Sequence, residues 1–136
     1  MGEMIVRKFP RIYLTSLLIA VITTLSLIPV PEVPELEDVP FFDKWVHFVM
    51  YGALTLAMWT DWWRMERWTM PSLKFIIVSF AFPALWGGLM ELAQAYLTTC
   101  RSGDWIDFYA DAFGALLGLI ISYTTWKIVE KTSARK

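Results

Sequence analysis

The stretch LKFIIVSFAFPALWGGLMELAQAYLTT, residues 73–99, decides what kind of fold this chain can adopt. A bilayer's hydrocarbon core is about 30 Å thick and needs about 20 consecutive apolar residues to be crossed by a helix. This run exceeds that length with one amine, Lys74, near its start and one carboxylate, Glu91, near its end. Pro83 removes a backbone hydrogen bond in the middle and is expected to kink or tilt the helix. Glu91 lies eight residues before the end, so about 12 Å inside at 1.5 Å per residue. A carboxylate there must pair or become protonated. The run therefore reads as a membrane helix with a functional group in it.

Working outward, three more apolar stretches cover residues 12–29, 44–63 and 107–128. The 136 residues are 57% hydrophobic and only 18% charged, where a soluble domain carries about 25% charged residues. The reading is a single all-α domain over residues 1–136, a polytopic four-transmembrane-helix bundle. The first span has a signal-like basic start, Arg7, Lys8 and Arg11, but no small-x-small cleavage site, and it exits through Pro29-Val30-Pro31; it is expected to stay uncleaved. Net charge −1 offers no basic face for nucleic acid. The aromatic content excludes disorder. Cys100 is the only cysteine, so no intrachain disulfide forms, and no Cys/His spacing marks a zinc site.

Orientation follows from Lys and Arg in the short connections. Arg7, Lys8, Arg11, Arg64, Arg67, Lys74, Lys127, Lys131, Arg135 and Lys136 fall on one side; only Lys44 and Arg101 fall on the other. Both termini are expected in the cytoplasm. Trp45 and Trp105 are expected at the outer interface, and Trp59, Trp62, Trp63, Trp68 and Trp126 near the inner one. Trp86 falls mid-span as a packing residue. The first outer connection alternates Pro31, Pro34 and Pro40 with Glu32, Glu35, Glu37 and Asp38, and reads as an extended, solvated spacer. Asp61, Arg64, Glu66 and Arg67 read as solvated inner charges with i, i+3 pairing.

Ionisable groups within spans are functional candidates by default, and here they gather in the outer half. Asp43, His47 and Tyr51 are spaced i, i+4, i+8 on one face of the second span, beside Lys44. The third span carries Gly87-Gly88-x-x-Glu91-x-x-Gln94. Arg101 and Asp104 precede Asp107, Asp111, Gly114 and Gly118, which lie within about 60° of one another on a helix. Gly114-x-x-x-Gly118, like Gly87-Gly88, permits close helix approach.

These three ordered motifs resemble the VanZ-like family of small bacterial membrane proteins, over residues 29–122. The resemblance implies a bacterial cytoplasmic-membrane protein associated with teicoplanin resistance. It also implies Asn at the position of Asp111, so this chain brings an extra carboxylate.

The polar cluster totals −3 with His47 neutral and would repel a bare phosphate unless Lys44 and Arg101 form a basic lobe at the rim. The leading expectation is an outward-facing cavity that binds or handles an envelope molecule: a lipid-linked wall precursor, a lipid headgroup or a lipoglycopeptide. Asp43, Lys44, His47, Tyr51, Glu91, Gln94, Arg101, Asp104, Asp107 and Asp111 are its candidate binding residues. The alternative is an intramembrane hydrolase or transferase with His47 and Glu91 as catalytic candidates. A proton-coupled transporter would need acids in the inner half as well, and a plain scaffold would use the same groups only for packing. No cofactor is expected, although the carboxylates leave room for a divalent cation. Membrane lipids are the expected partners, with the oligomeric state unassigned.

Overall fold

The structure, a computed structural model, describes residues 12–29, 39–67 and 69–135. The basic residues 7, 8 and 11, the connection 30–38, Trp68 and Lys136 lie outside the described residues. Among the described residues the fold is all-α, with four helices and no strand. They are α1 (Tyr13–Leu27), α2 (Phe42–Glu66), α3 (Leu73–Leu97) and α4 (Trp105–Ser133). α3 and α4 are long and apolar enough to cross a membrane. α1 is apolar but has 15 residues, about 22 Å of helix. α2 has 25 residues, but His47, Asp61 and its many Trp, Tyr and Thr positions hold it below that apolarity.

Local signals explain the ends. Ser72 accepts a hydrogen bond from the Phe75 N–H, and Asp104 accepts one from the Ile106 N–H, so α3 and α4 each start on a side-chain cap. α1 has no cap of its own: Ile12 supplies none. Asp61 of α2 takes that role from across the molecule. Its carboxylate accepts from the backbone N–H of Thr15 at 2.9 Å and of Leu14 at 3.4 Å, and from the Thr15 hydroxyl at 2.9 Å. Asp61 is fully buried, not a solvated charge as expected, whereas its neighbours Arg64, Glu66 and Arg67 are exposed. The positive end of the α1 dipole accounts for the difference, because it favours an anion there. α3 continues unbroken as one helix through Pro83.

α2 packs most extensively on α4, and small residues make that contact. A Cβ on Gly114 would collide with the Phe48 carbonyl, and one on Gly118 would sit 2.7 Å from the Gly52 carbonyl oxygen. The glycines of α4 therefore permit a backbone-to-backbone approach that no side chain would allow. α1 closes over α2 and α3 with Ile22 against Tyr51 and Leu54, flanked by Leu18, Ile19, Met50 and Trp86. At the other end Trp59, wholly buried, packs edge-on to Trp62, Trp63, Phe75 and Tyr123 and donates to the Ser79 hydroxyl at 3.0 Å. Trp59 and Trp126 are thus interior residues, whereas Trp45 and Trp105 are exposed. Interface anchoring fits the second pair and not the first.

Burial runs opposite to that of a water-soluble protein. Leu17, Val49, Leu85, Leu97, Phe113 and Ile120 face outward, while His47, Asp61, Glu91, Gln94, Asp107 and Asp111 are buried. An apolar exterior around a polar interior is the arrangement of a membrane protein.

Candidate functional site

The site forms where the start of α2, the end of α3 and the start of α4 meet. On α2 the i, i+4, i+8 stripe runs from surface to interior: Asp43 is exposed, His47 is 4% exposed and Tyr51 is 1% exposed. On α4 the spacing 107, 111, 114, 118 puts all four residues on the buried face. Glu91 and Gln94 project from α3 and are also buried.

Lys44 organises the outer part. Its Nζ lies 2.6 Å from Asp43, 2.9 Å from Asp104 and 2.7 Å from Asp107, so one ammonium joins three carboxylates from two segments. That bond to Lys44, with a second from the Ile106 N–H, holds the Asp104 carboxyl below the usual carboxylate range. Asp104 also donates its backbone N–H to Glu91 Oε2 at 2.7 Å. It therefore ties α2, α3 and α4 together through one residue.

Below this rim lies His47. Its Nδ1 is 2.9 Å from Asp111 Oδ1 and 3.9 Å from Glu91 Oε1, and its Nε2 is 3.8 Å from Asp107 Oδ2. Three helices thus direct one carboxylate pair and one imidazole at a common point. Gly87 makes room for it, since a Cβ there would lie 2.5 Å from Asp111 Oδ2. Gly88 meets only the Phe108 ring, at 3.3 Å.

Gln94 and Arg101 point elsewhere. Gln94 donates to the Ser26 carbonyl at 3.1 Å, and Arg101 Nη1 donates to the Leu25 carbonyl at 3.2 Å, both on α1. Neither touches the acidic group, so Lys44 and Arg101 do not form one basic lobe. Gln94 and Arg101 instead line a half-open cavity of about 260 Å3 between α1, α2 and α3. Leu25, Phe42, Val46 and Met50 give it apolar walls; Asp43, His47, Gln94 and Arg101 give it polar ones. A smaller hollow, about 150 Å3, opens beside Glu91, Asp104 and Trp105 on the opposite flank. His47 and Glu91 separate the two.

The sequence model of the VanZ/LLP1 family matches residues 3–127. The chain belongs to the VanZ/LLP1 family. No curated protein and no solved structure matches it. In this VanZ/LLP1 chain the matched region includes α1, α2, α3 and every polar residue of the site. Sequence reasoning missed Ser26 and Leu25, which contribute backbone carbonyls, and the apolar wall of Phe42, Val46 and Met50. Backbone acceptors leave no mark on residue type. The wall had a signal: Phe42, Val46 and Met50 follow the same i, i+4 spacing as the polar stripe, one residue ahead of it.

Proposed function

We propose that this VanZ/LLP1 protein crosses the bacterial cytoplasmic membrane four times, with both termini inside, and binds an amphipathic envelope molecule from the outer side. The observation that carries the reading is the cavity between α1, α2 and α3, whose walls divide into an apolar set and a polar set. Such a division suits a ligand with a chain and a headgroup. The chain would lie on Leu25, Phe42, Val46 and Met50. The headgroup would meet His47 and Arg101, whose remaining guanidinium donors suit a phosphate or carboxylate. A lipid-linked wall precursor, a phospholipid headgroup and a lipoglycopeptide share this chemistry. Binding any of them at the outer surface would alter glycopeptide susceptibility.

The alternation of Lys and Arg between successive connections of the sequence, and the 25-residue length of α2, support the reading of four spans. α1, being short, would cross with the flanking Ile12, Ile28 and Pro29 and a locally thinned bilayer.

The test is teicoplanin susceptibility of cells expressing His47→Ala or Arg101→Ala protein. Susceptibility should shift to that of cells lacking the protein while membrane abundance stays at the wild-type level. A parallel fall in abundance, or unchanged susceptibility, contradicts the reading.

One observation favours a second reading, an intramembrane hydrolase or transferase: the 2.9 Å contact between His47 Nδ1 and Asp111 would orient the imidazole for proton transfer. Turnover of labelled envelope lipid by purified protein, lost in Asp111→Asn, would select it over binding alone.

A further inference from the structure

We infer that His47, Glu91 and Asp111 form a binding site for a divalent transition-metal ion. Each of the three offers one ligand atom, and these atoms all lie within 4.8 Å of one another. They come from three different helices, so the triangle is a product of tertiary packing and not of a local motif. All three are buried, Asp111 completely.

Two independent features point to an ion between them. First, the inward carboxylate oxygens lack hydrogen bonds: Glu91 Oε1 and Asp111 Oδ2 are buried and have no hydrogen-bond partner, and neither has the buried Tyr51 hydroxyl one turn deeper. Buried polar atoms are nearly always satisfied, and a carboxylate oxygen left alone is costly. Glu91 is held so that this oxygen faces inward, because its other oxygen is fixed by the Asp104 N–H. Second, charge is left over. Lys44 is committed to Asp43, Asp104 and Asp107, and no basic side chain among the described residues lies within ion-pair distance of Glu91 or Asp111 except His47. One imidazole against two carboxylates leaves a negative interior that a dication would neutralise.

The donor set and spacing fit. The His47–Asp111 and His47–Glu91 separations are 2.9 and 3.9 Å. Ligands at about 2.1 Å from a metal stand roughly 3.0–3.4 Å apart at adjacent octahedral or tetrahedral positions. All three ligand atoms lie within 4.8 Å of one another, so a side-chain shift of about 1 Å brings them to that spacing. One imidazole with two carboxylates suits Zn2+ or Mn2+ better than Ca2+, which takes oxygen ligands only. The outer sphere is also in place: Asp107 Oδ2 faces His47 Nε2 at 3.8 Å, and carboxylates commonly orient the free nitrogen of a metal-bound imidazole. Three protein ligands would leave coordination positions for water, and His47 lines the larger hollow and Glu91 the smaller. The site shares His47 with the larger cavity, but it rests on the three ligand atoms and not on what occupies that cavity.

His47 is the only histidine in the chain, which makes the test unambiguous. Protein purified in detergent, stripped with chelator and titrated with Mn2+ should retain one ion per chain, displaced by Zn2+. In protein labelled with 15N-histidine, the pulsed electron paramagnetic resonance spectrum of that Mn2+ should show nitrogen coupling that changes with the isotope. Glu91→Gln and Asp111→Asn should each weaken Mn2+ retention at least tenfold, while Asp43→Asn at the exposed rim should leave it within twofold. Absence of retained Mn2+ above an empty-micelle control, or Mn2+ without histidine coupling, overturns the site. So does unchanged retention in both ligand variants.

Discussion

Replacing Gly114 by Ala tests whether helix contact and site geometry are one structure. In an exposed helix the change would stabilise by about 0.5–1 kcal/mol, since Ala is the better helix former. Here the new Cβ would run into the Phe48 carbonyl of α2, a backbone atom that cannot swing away. α2 and α4 would have to part by about 1 Å to restore ordinary contact. Overpacking of this kind costs about 1–3 kcal/mol, so at mid-range the clash outweighs the propensity gain and the net loss is about 1 kcal/mol. Gly114 lies one turn below Asp111, and Phe48 follows His47, so the same parting stretches the 2.9 Å His47–Asp111 contact beyond hydrogen-bond range. Gly88→Ala is the control: its Cβ meets only the Phe108 ring at 3.3 Å, which can shift. Unfolding in detergent, followed by tryptophan fluorescence, should show Gly114→Ala destabilised and Gly88→Ala unchanged or slightly stabilised. The His47 imidazole resonances should move in the first variant only. Equal stability of the two variants would refute the reasoning.

Three further outcomes follow. Asp61→Asn should destabilise by about 1–2 kcal/mol, because the amide brings no negative charge to the start of α1 and its NH2 group, unlike the second carboxylate oxygen, cannot accept from the Leu14 N–H; unchanged unfolding would remove Asp61 from its capping role. Lys44 holds Asp104 ionised below the ordinary carboxylate range, so that contribution to stability is present above the unfolded-state value near pH 4 and is lost as pH falls through the lower folded value. Lys44→Met should reverse the slope, with acid stabilising the variant by neutralising Asp43 and Asp104, which then lack their shared cation; a parallel pH profile for both proteins would contradict this. Exposed Cys100, in the connection beside the site, should react with a membrane-impermeant thiol reagent on intact cells; labelling only after permeabilisation would invert the topology.

Much of this fold was legible in residue order because helices in lipid announce themselves by apolar runs. The ends were less so. α4 continues to Ser133, past the expected residue 128, since Lys127, Glu130 and Lys131 end an apolar run without ending a helix. The two stripes, Asp43-His47-Tyr51 and Asp107-Asp111-Gly114-Gly118, were readable because i, i+4 spacing is a property of the helix itself. What those stripes face was not readable. Asp61 and Arg64 look alike beside each other in the sequence, yet one caps α1 from 46 residues away and the other is exposed. Arg101 and Lys44 likewise look like a basic pair in the sequence, and packing sends one to α1 and the other to α4.

The most direct test of the central claim is capture of the bound molecule. A benzophenone amino acid at Met50, on the cavity wall, should cross-link one envelope lipid class in living cells, and Arg101→Ala should reduce that adduct. The same probe at Leu85, which faces outward, should collect the bulk membrane lipids. If Met50 yields the same bulk mixture as Leu85, regardless of Arg101, the cavity is not a binding site.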